Sequence, residues 1–208
     1  MYALRGQVGA SGSESASLPT LREQAVISLH RQHVDRFLAS AIPTTPGLRG
    51  LHIGSGPGPR GHYRPSPHQR WTDLDLTCGD VRGDIRALPF RGDSFDLVRA
   101  TEMIYHVAIA DIRMALFELR RVLRPGGRLV ITAPLLVPPI NQDDLVRYTA
   151  AGWRRLLPGA TIVHLGGRWS HLVITLENFS SVFALLRPLA LLDRPGDHYA
   201  HAYGVIVA

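Results

Sequence analysis

Three glycines at alternate positions, Gly54, Gly56 and Gly58, follow directly on the short apolar run from Leu51 to Ile53. Leu51 and Ile53 read as buried strand positions, and bare backbone beyond them lets the chain turn tightly and approach a ligand with no Cβ in the way. Asp75 lies 21 residues beyond Gly54 (75 − 54), at the end of a second strand-like run, WTDLDL. In nucleotide-binding α/β folds an acid about 20 positions past such a turn takes a ribose hydroxyl pair. A glycine turn alone also serves as a plain strand-to-helix connection, so the weight rests on the spacing. Further along, ATEMIYHV (100–107) brings Tyr105 and His106 to the end of another strand, where open α/β sheets bind their ligands. A histidine near its unperturbed pKa of about 6.5 can accept a proton from a hydroxyl or amine nucleophile at neutral pH. The alternative for His106 is packing near the ligand or capping a helix.

Three more segments follow the loop in a fixed order: GDIRALPF (83–90), DSFDLVRATEMIYHV (93–107) and ELRRVLRPGGRLVITAP (118–134). With 51–58 they cover about residues 48–134, and over that span the chain resembles the class I S-adenosylmethionine-dependent methyltransferases, specifically the small methyltransferase type 11 group. The resemblance implies an α/β, Rossmann-like fold with a seven-stranded, mostly parallel sheet, an antiparallel last strand between the fifth and sixth, and helices on both faces. It implies S-adenosyl-L-methionine as cofactor, held by Gly54, Gly56, Gly58, Asp75, Asp84, Ile85 and Thr101, with Tyr105 and His106 as the catalytic candidates. In the family the acid matching Asp84 accepts from the adenine amino group and the next backbone NH binds a ring nitrogen. A turn aspartate before the Leu88–Pro89 bend is the other reading.

Two features depart from the family. His52 stands near the end of the first strand, where many relatives carry an acid that helps hold the cofactor's amino group. A long helix usually follows the glycine loop, yet Pro59, Gly61, Pro65 and Pro67 block helical geometry across most of the interval to Arg70. An irregular loop carrying His62, Tyr63, Arg64 and His68 is expected to bridge that gap, as a substrate rim, a mobile flap or a structural connection.

Other elements must position these groups. Residues 1–18, rich in Gly, Ser and Ala, read as a mobile tail, and residues 19–208 as one domain. Leu21, Ala25, Leu29, His33 and Phe37 recur near helical spacing, predicting an N-terminal helix over 19–40 with His30, His33 and Arg36 as possible substrate contacts. Phe95 to Ala100 forms the fourth strand after a turn at Gly92 and Asp93. Ile112, Ala115, Leu116, Leu119, Val122 and Leu123 form one helical face. Pro125, Gly126 and Gly127 end that helix in a turn, LVITA makes a buried fifth strand, and the arginines around it are expected to be solvated. Thr149 caps a short helix through Leu157, TIVHL (161–165) is a sixth strand, and YAHAYGVIVA holds the last. Between these two strands, Leu172, Leu176, Phe179, Phe183 and Leu186 mark one long helix.

Composition narrows the partners. A chain of 208 residues, 45% hydrophobic and 19% charged, is large enough to build its own core. Cys78 is the single cysteine, so no internal disulfide forms, and no charged leader with an apolar segment opens the sequence; the expectation is a cytoplasmic protein. The apolar stretch 172–192 is interrupted by Glu177, Asn178, Arg187 and Pro188, so no membrane span is expected. All 23 basic residues are arginine, and the net charge of +6 is scattered along the chain rather than gathered in a patch, which argues against nucleic acid as the partner. Asp143 and Asp144, without a nearby histidine or third acid, make no metal site. The function expected is methyl transfer to an oxygen, nitrogen or carbon nucleophile of a small-molecule acceptor, a secondary metabolite being one such case. An RNA methyltransferase and a non-catalytic binding protein of the same fold are the alternatives. A nicotinamide-dependent oxidoreductase would want glycine or alanine where Pro59 stands.

Overall fold

A computed structural model describes residues 28–57, 63–137, 139, 142–194 and 200–208. The N-terminal tail, residues 19–27 of the expected first helix, Gly58 and His62 lie outside the described residues. The first helix, α1 (Leu29–Ala41), opens on Ser28, whose hydroxyl accepts from the Arg31 NH. The Glu177 carboxylate accepts from the Leu29 NH at 3.2 Å, a negative charge at the positive end of the helix dipole.

The chain then lays down β1 (Arg49–Ile53), β2 (Arg70–Asp75), β3 (Val81–Arg82), β4 (Phe95–Thr101), α2 (Ile112–Arg121), β5 (Leu123–Pro134), α3 (Ala150–Leu156), β6 (Thr161–Leu165), α4 (Arg168–Glu177) and β7 (Ala202–Val207). Seven strands form one sheet in the order β3-β2-β1-β4-β5-β7-β6. β7 runs antiparallel to both neighbours, as the resemblance implies. Between β1 and β2 there is no helix among the described residues; Pro65 and Pro67 lie in irregular chain, as expected.

The two faces of the sheet are built differently. On one, Leu51, Ile53, Leu74, Val98, Ala100, Leu129 and Ile131 pack with Ala115, Leu116 and Leu119 of α2 and with Trp153 of α3. These residues alternate along their strands, so this core follows directly from the period-two pattern. On the other face α1 lies over the β5-β7-β6 half: Val34, Phe37 and Leu38 join Leu97, Val130, Leu165 and Ala202 in a second core. Gly204 makes room for it, since a Cβ there would come within 2.4 Å of the Phe37 ring. No helix covers the β2-β1-β4 half among the described residues.

Three expectations need correction. The residues RPGG (124–127) are not a free turn: they bulge out of the start of β5, where pairing passes from Phe95–Leu123 to Leu97–Arg128. Its neighbours are not all solvated arginines either, because Arg121 pairs with Glu118 and donates to the Leu88 and Phe90 carbonyls, and Arg124 pairs with Asp96. The expected long helix stops at Glu177 and resumes as 3-10 turns over Ser181–Leu192, with Ser180 accepting from the Val182 NH. Asn178 and Ser180 compete for backbone hydrogen bonds, which breaks the helix. The buried side is then Val173 and Ile174, while Phe179 and Leu185 are 81% and 80% exposed.

Candidate active site

Strands β1, β2 and β4 end together at one rim. There Gly54 and Gly56 take φ of +69° and +63°, left-handed backbone that suits glycine. A Cβ on Gly54 would lie 2.7 Å from Met103, so this position has no room for a side chain. The Gly54 NH donates to the Leu74 carbonyl at 2.8 Å, and the Gly56 NH donates to Asp75 Oδ2 at 3.1 Å. The turn and the carboxylate predicted from spacing are therefore in direct contact. Thr77 adds its NH and hydroxyl to Asp75 Oδ1 at 2.9 and 3.0 Å. Burial pushes the Asp75 carboxyl up, but the hydrogen bonds from Thr77 and Gly56 outweigh it and leave its pKa below the usual range.

From this rim a cavity of about 1190 Å³ runs down the face of the sheet that α1 half covers. Its lining includes Gly54, Gly56, Thr101, Glu102, Tyr105 and His30. The Ser55 and Thr101 hydroxyls in it are buried without hydrogen-bond partners among the described residues. Glu102 holds φ of +51°, uncommon for a residue with a Cβ, and meets His30 Nε2 at 3.0 Å. Burial raises the Glu102 pKa, but the hydrogen bond and charge of His30, with Arg31, bring it below the ordinary value, so the pair is an ionised carboxylate held by a histidine. Tyr105 is pushed up to about 12, by burial first and then by Glu102 and Asp144, so its hydroxyl is a donor at neutral pH rather than a base.

Asp75 stays at the rim, outside the cavity lining, and the remaining predicted residues are not gathered here. His106 lies outside the cavity lining, and its Nδ1 sits 2.8 Å from the Asp143 carbonyl, which directs Nε2 alone elsewhere. Asp84 accepts from Arg86 through its NH at 2.8 Å and its guanidinium at 2.6–3.0 Å, and Arg86 also reaches Asp111 at 2.9 Å. This is the turn geometry given above as the other reading of Asp84. Ile85 is buried in the core beside it. Of the helix residues, His30 reaches the cavity, while His33 is buried against the His201 ring at 5.0 Å and Arg36 is not in the lining. Among the described residues no group of three or more His, Cys, Asp or Glu could hold a metal ion. No helix there is long and apolar enough to cross a membrane.

Sequence reasoning missed a polar row on the cavity floor. The register pairs His52 with Asp73 on one side and with Arg99 on the other. His52 Nδ1 lies 3.2 Å from Asp73 Oδ1 and 3.1 Å from Arg99 Nη2. The sequence carries only a general sign of it, since strands buried on both faces read as near-continuous apolar runs and these three do not; the row itself follows from the register.

The glycine turn, the carboxylate beside it and the orphaned hydroxyls of Ser55 and Thr101 fit a nucleoside that carries an amino-acid chain. The comparisons agree. A family model described as Methyltransferase domain matches residues 64–131. The malonyl-[acyl-carrier protein] O-methyltransferase of Erwinia billingiae is 30% identical over 180 residues, covering 73% of this chain and 67% of that protein. A 37.1 kDa protein in transposon TN4556 of Streptomyces fradiae is 52% identical over 116 residues, 47% of this chain and 33% of its own. The chain thus spans from a third to two thirds of the length of these curated relatives. The S-adenosylmethionine-dependent methyltransferase of Mesorhizobium loti shares the fold, with a TM-score of 0.54 at 18% identity over 86% of this chain and 99% of that one. The chain belongs to the class I S-adenosylmethionine-dependent methyltransferases.

Proposed function

We propose that the protein transfers the methyl group of S-adenosylmethionine to an oxygen, nitrogen or carbon nucleophile of a small-molecule acceptor. The observation that carries this reading is the hydrogen bond between the Gly56 NH and Asp75, which joins the bare turn to the carboxylate in one ligand cradle. When bound, S-adenosylmethionine supplies a methyl group on a sulfonium that a nucleophile displaces in line. The chain's part is to bind, orient and exclude water.

In this reading Gly54 and Gly56 let backbone approach the cofactor, Asp75 accepts the ribose hydroxyls, and the Ser55 and Thr101 hydroxyls find partners in it. Asp84 and Ile85 serve the adenine only if Arg86 gives up part of its hold on Asp84. Tyr105 donates a hydrogen bond into the cavity. His106 acts as a base only through Nε2, and only if the acceptor reaches beyond the cavity lining. The volume supports a second ligand beside the cofactor, because about 1190 Å³ exceeds the roughly 300–1,000 Å³ of a pocket for one drug-sized ligand.

Calorimetric titration with S-adenosylhomocysteine tests the cradle. Wild type is expected to bind, and Asp75→Ala to lose about 1–3 kcal/mol, the cost of leaving buried hydroxyls unpaired. Equal affinity of the two proteins would remove Asp75 from the site. Incubation with labelled S-adenosylmethionine and a metabolite extract tests the acceptor class, and label found only in RNA or protein would count against a small molecule.

A further inference from the structure

Between β1 and β2, where the described residues form no helix, the sheet face is floored by polar and aromatic side chains. Reading across the register, Trp71, Gly50 and Leu97 form one row and Asp73, His52 and Arg99 the next, one pleat nearer the rim. The Trp71 indole lies across Gly50, since a Cβ there would sit 2.5 Å from the ring. Arg99 lies beside two aromatic rings, its guanidinium carbon 4.9 Å from the centre of Trp71 and 5.4 Å from that of Tyr63.

The hydrogen bonding of this guanidinium is incomplete. Arg99 forms no ion pair among the described residues, and its Nε is buried without a partner. Among the described residues its hydrogen-bond contact is His52 Nδ1, which also faces Asp73. A neutral imidazole nitrogen either donates or accepts. If Nδ1 carries the proton for Asp73, Arg99 has no acceptor; if Nδ1 accepts from Arg99, Asp73 has no donor there. A doubly protonated ring does not relieve the conflict, because Nδ1 is then a donor to Asp73 and Arg99 still has no acceptor. A third acceptor is missing from the row, and Arg99, Tyr63, Trp71, His52 and Asp73 all line the same cavity as the glycine turn.

We propose that this floor is the acceptor subsite, and that it takes an anionic small molecule whose carboxylate or phosphate oxygens are bound by the Arg99 guanidinium between Trp71 and Tyr63. The inference deepens the methyl-transfer reading and rests on it for the ligand's role as acceptor. Arg99 precedes Thr101 by two residues, so the anion lies about 7 Å along the strand from the rim, at about 3.3 Å per residue. The acceptor would therefore anchor its charge on the sheet face and extend its nucleophile toward the glycine turn. Arginine suits this task because its planar fork matches carboxylate and phosphate geometry.

The test is calorimetric titration of sodium phosphate and sodium malonate, separately and at constant ionic strength, into protein saturated with S-adenosylhomocysteine. Wild type is expected to bind at least one of them, phosphate reporting a phosphate ester and malonate a carboxylate. Arg99→Met is expected to weaken that binding about tenfold or more, the loss of at least one charge-assisted hydrogen bond. Arg99→Lys, which keeps the charge without the fork, is expected to weaken it less, and it carries the test if thermal melting finds Arg99→Met unfolded. Binding of neither anion by wild type, or wild-type affinity in the folded variants, overturns the proposal. Anion binding that S-adenosylhomocysteine abolishes also overturns it, by assigning Arg99 to the carboxylate of the cofactor. Failure of the methyl-transfer reading looks different: wild type then ignores S-adenosylhomocysteine while still binding the anion through Arg99.

Discussion

Leu51 and His52 are consecutive on β1 and face opposite worlds. Leu51 enters the apolar core under α2, fully buried, whereas His52 sits on the cavity floor between Asp73 and Arg99. The same contrast repeats at Leu74 and Asp73 on β2 and at Val98 and Arg99 on β4. One face of the three strands is spent on stability, and the other carries a polar row where no helix of the described residues covers it. The difference teaches that two faces of the same strands can be given separate tasks by alternate residues.

Four measurements would break or sharpen that contrast. The largest effect is expected from Leu51→Ala, which should cost about 2–5 kcal/mol in urea unfolding through lost burial and a residual cavity. A smaller but still large effect is expected from acid. His33 is lowered to about 4 by burial first and the Arg36 charge second, and burial drives His201 lower still. The unfolded chain takes up these protons as pH falls below about 6.5, while the native chain does not until near pH 4, so stability falls across that window. We expect a loss of about 1–3 kcal/mol for each of the two imidazoles between pH 7 and pH 4.5, reduced in His33→Gln; a flat profile would contradict the burial of these rings. Arg99→Met should change stability by no more than about 1 kcal/mol in either direction, because an apolar side chain of similar length replaces a buried, poorly satisfied cation. A cost like that of Leu51→Ala would make the floor a structural network instead. The smallest effect is expected at Asp84→Asn, within about 0.5 kcal/mol for S-adenosylhomocysteine binding, since this carboxylate is held by Arg86 at the surface.

Much of the fold was legible. β6 falls on TIVHL, Thr149 caps α3 by accepting from the Gly152 NH at 3.2 Å, and α2 buries the predicted stripe, because in each case local pattern and burial agree. The strand order came from the resemblance and not from periodicity. The helix past Glu177 was misread because an apolar stripe continues through a stretch whose Asn and Ser break the backbone. At the site, Gly54, Gly56 and Asp75 were readable from spacing, since strand ends bring them together. The row of Asp73, His52 and Arg99 was not, because it exists only once the register of three parallel strands is fixed. Glu102 escaped for a related reason: its pairing with His30 joins residues 72 positions apart.

The position of β7 has a consequence during synthesis. β6 joins the sheet only through β7, which is translated after it, so on the ribosome β6 waits without a partner while β5 shows an open edge. The sheet closes last at its interior, and the exposed edge of β5 is where a nascent chain would be most vulnerable to mispairing with a neighbour.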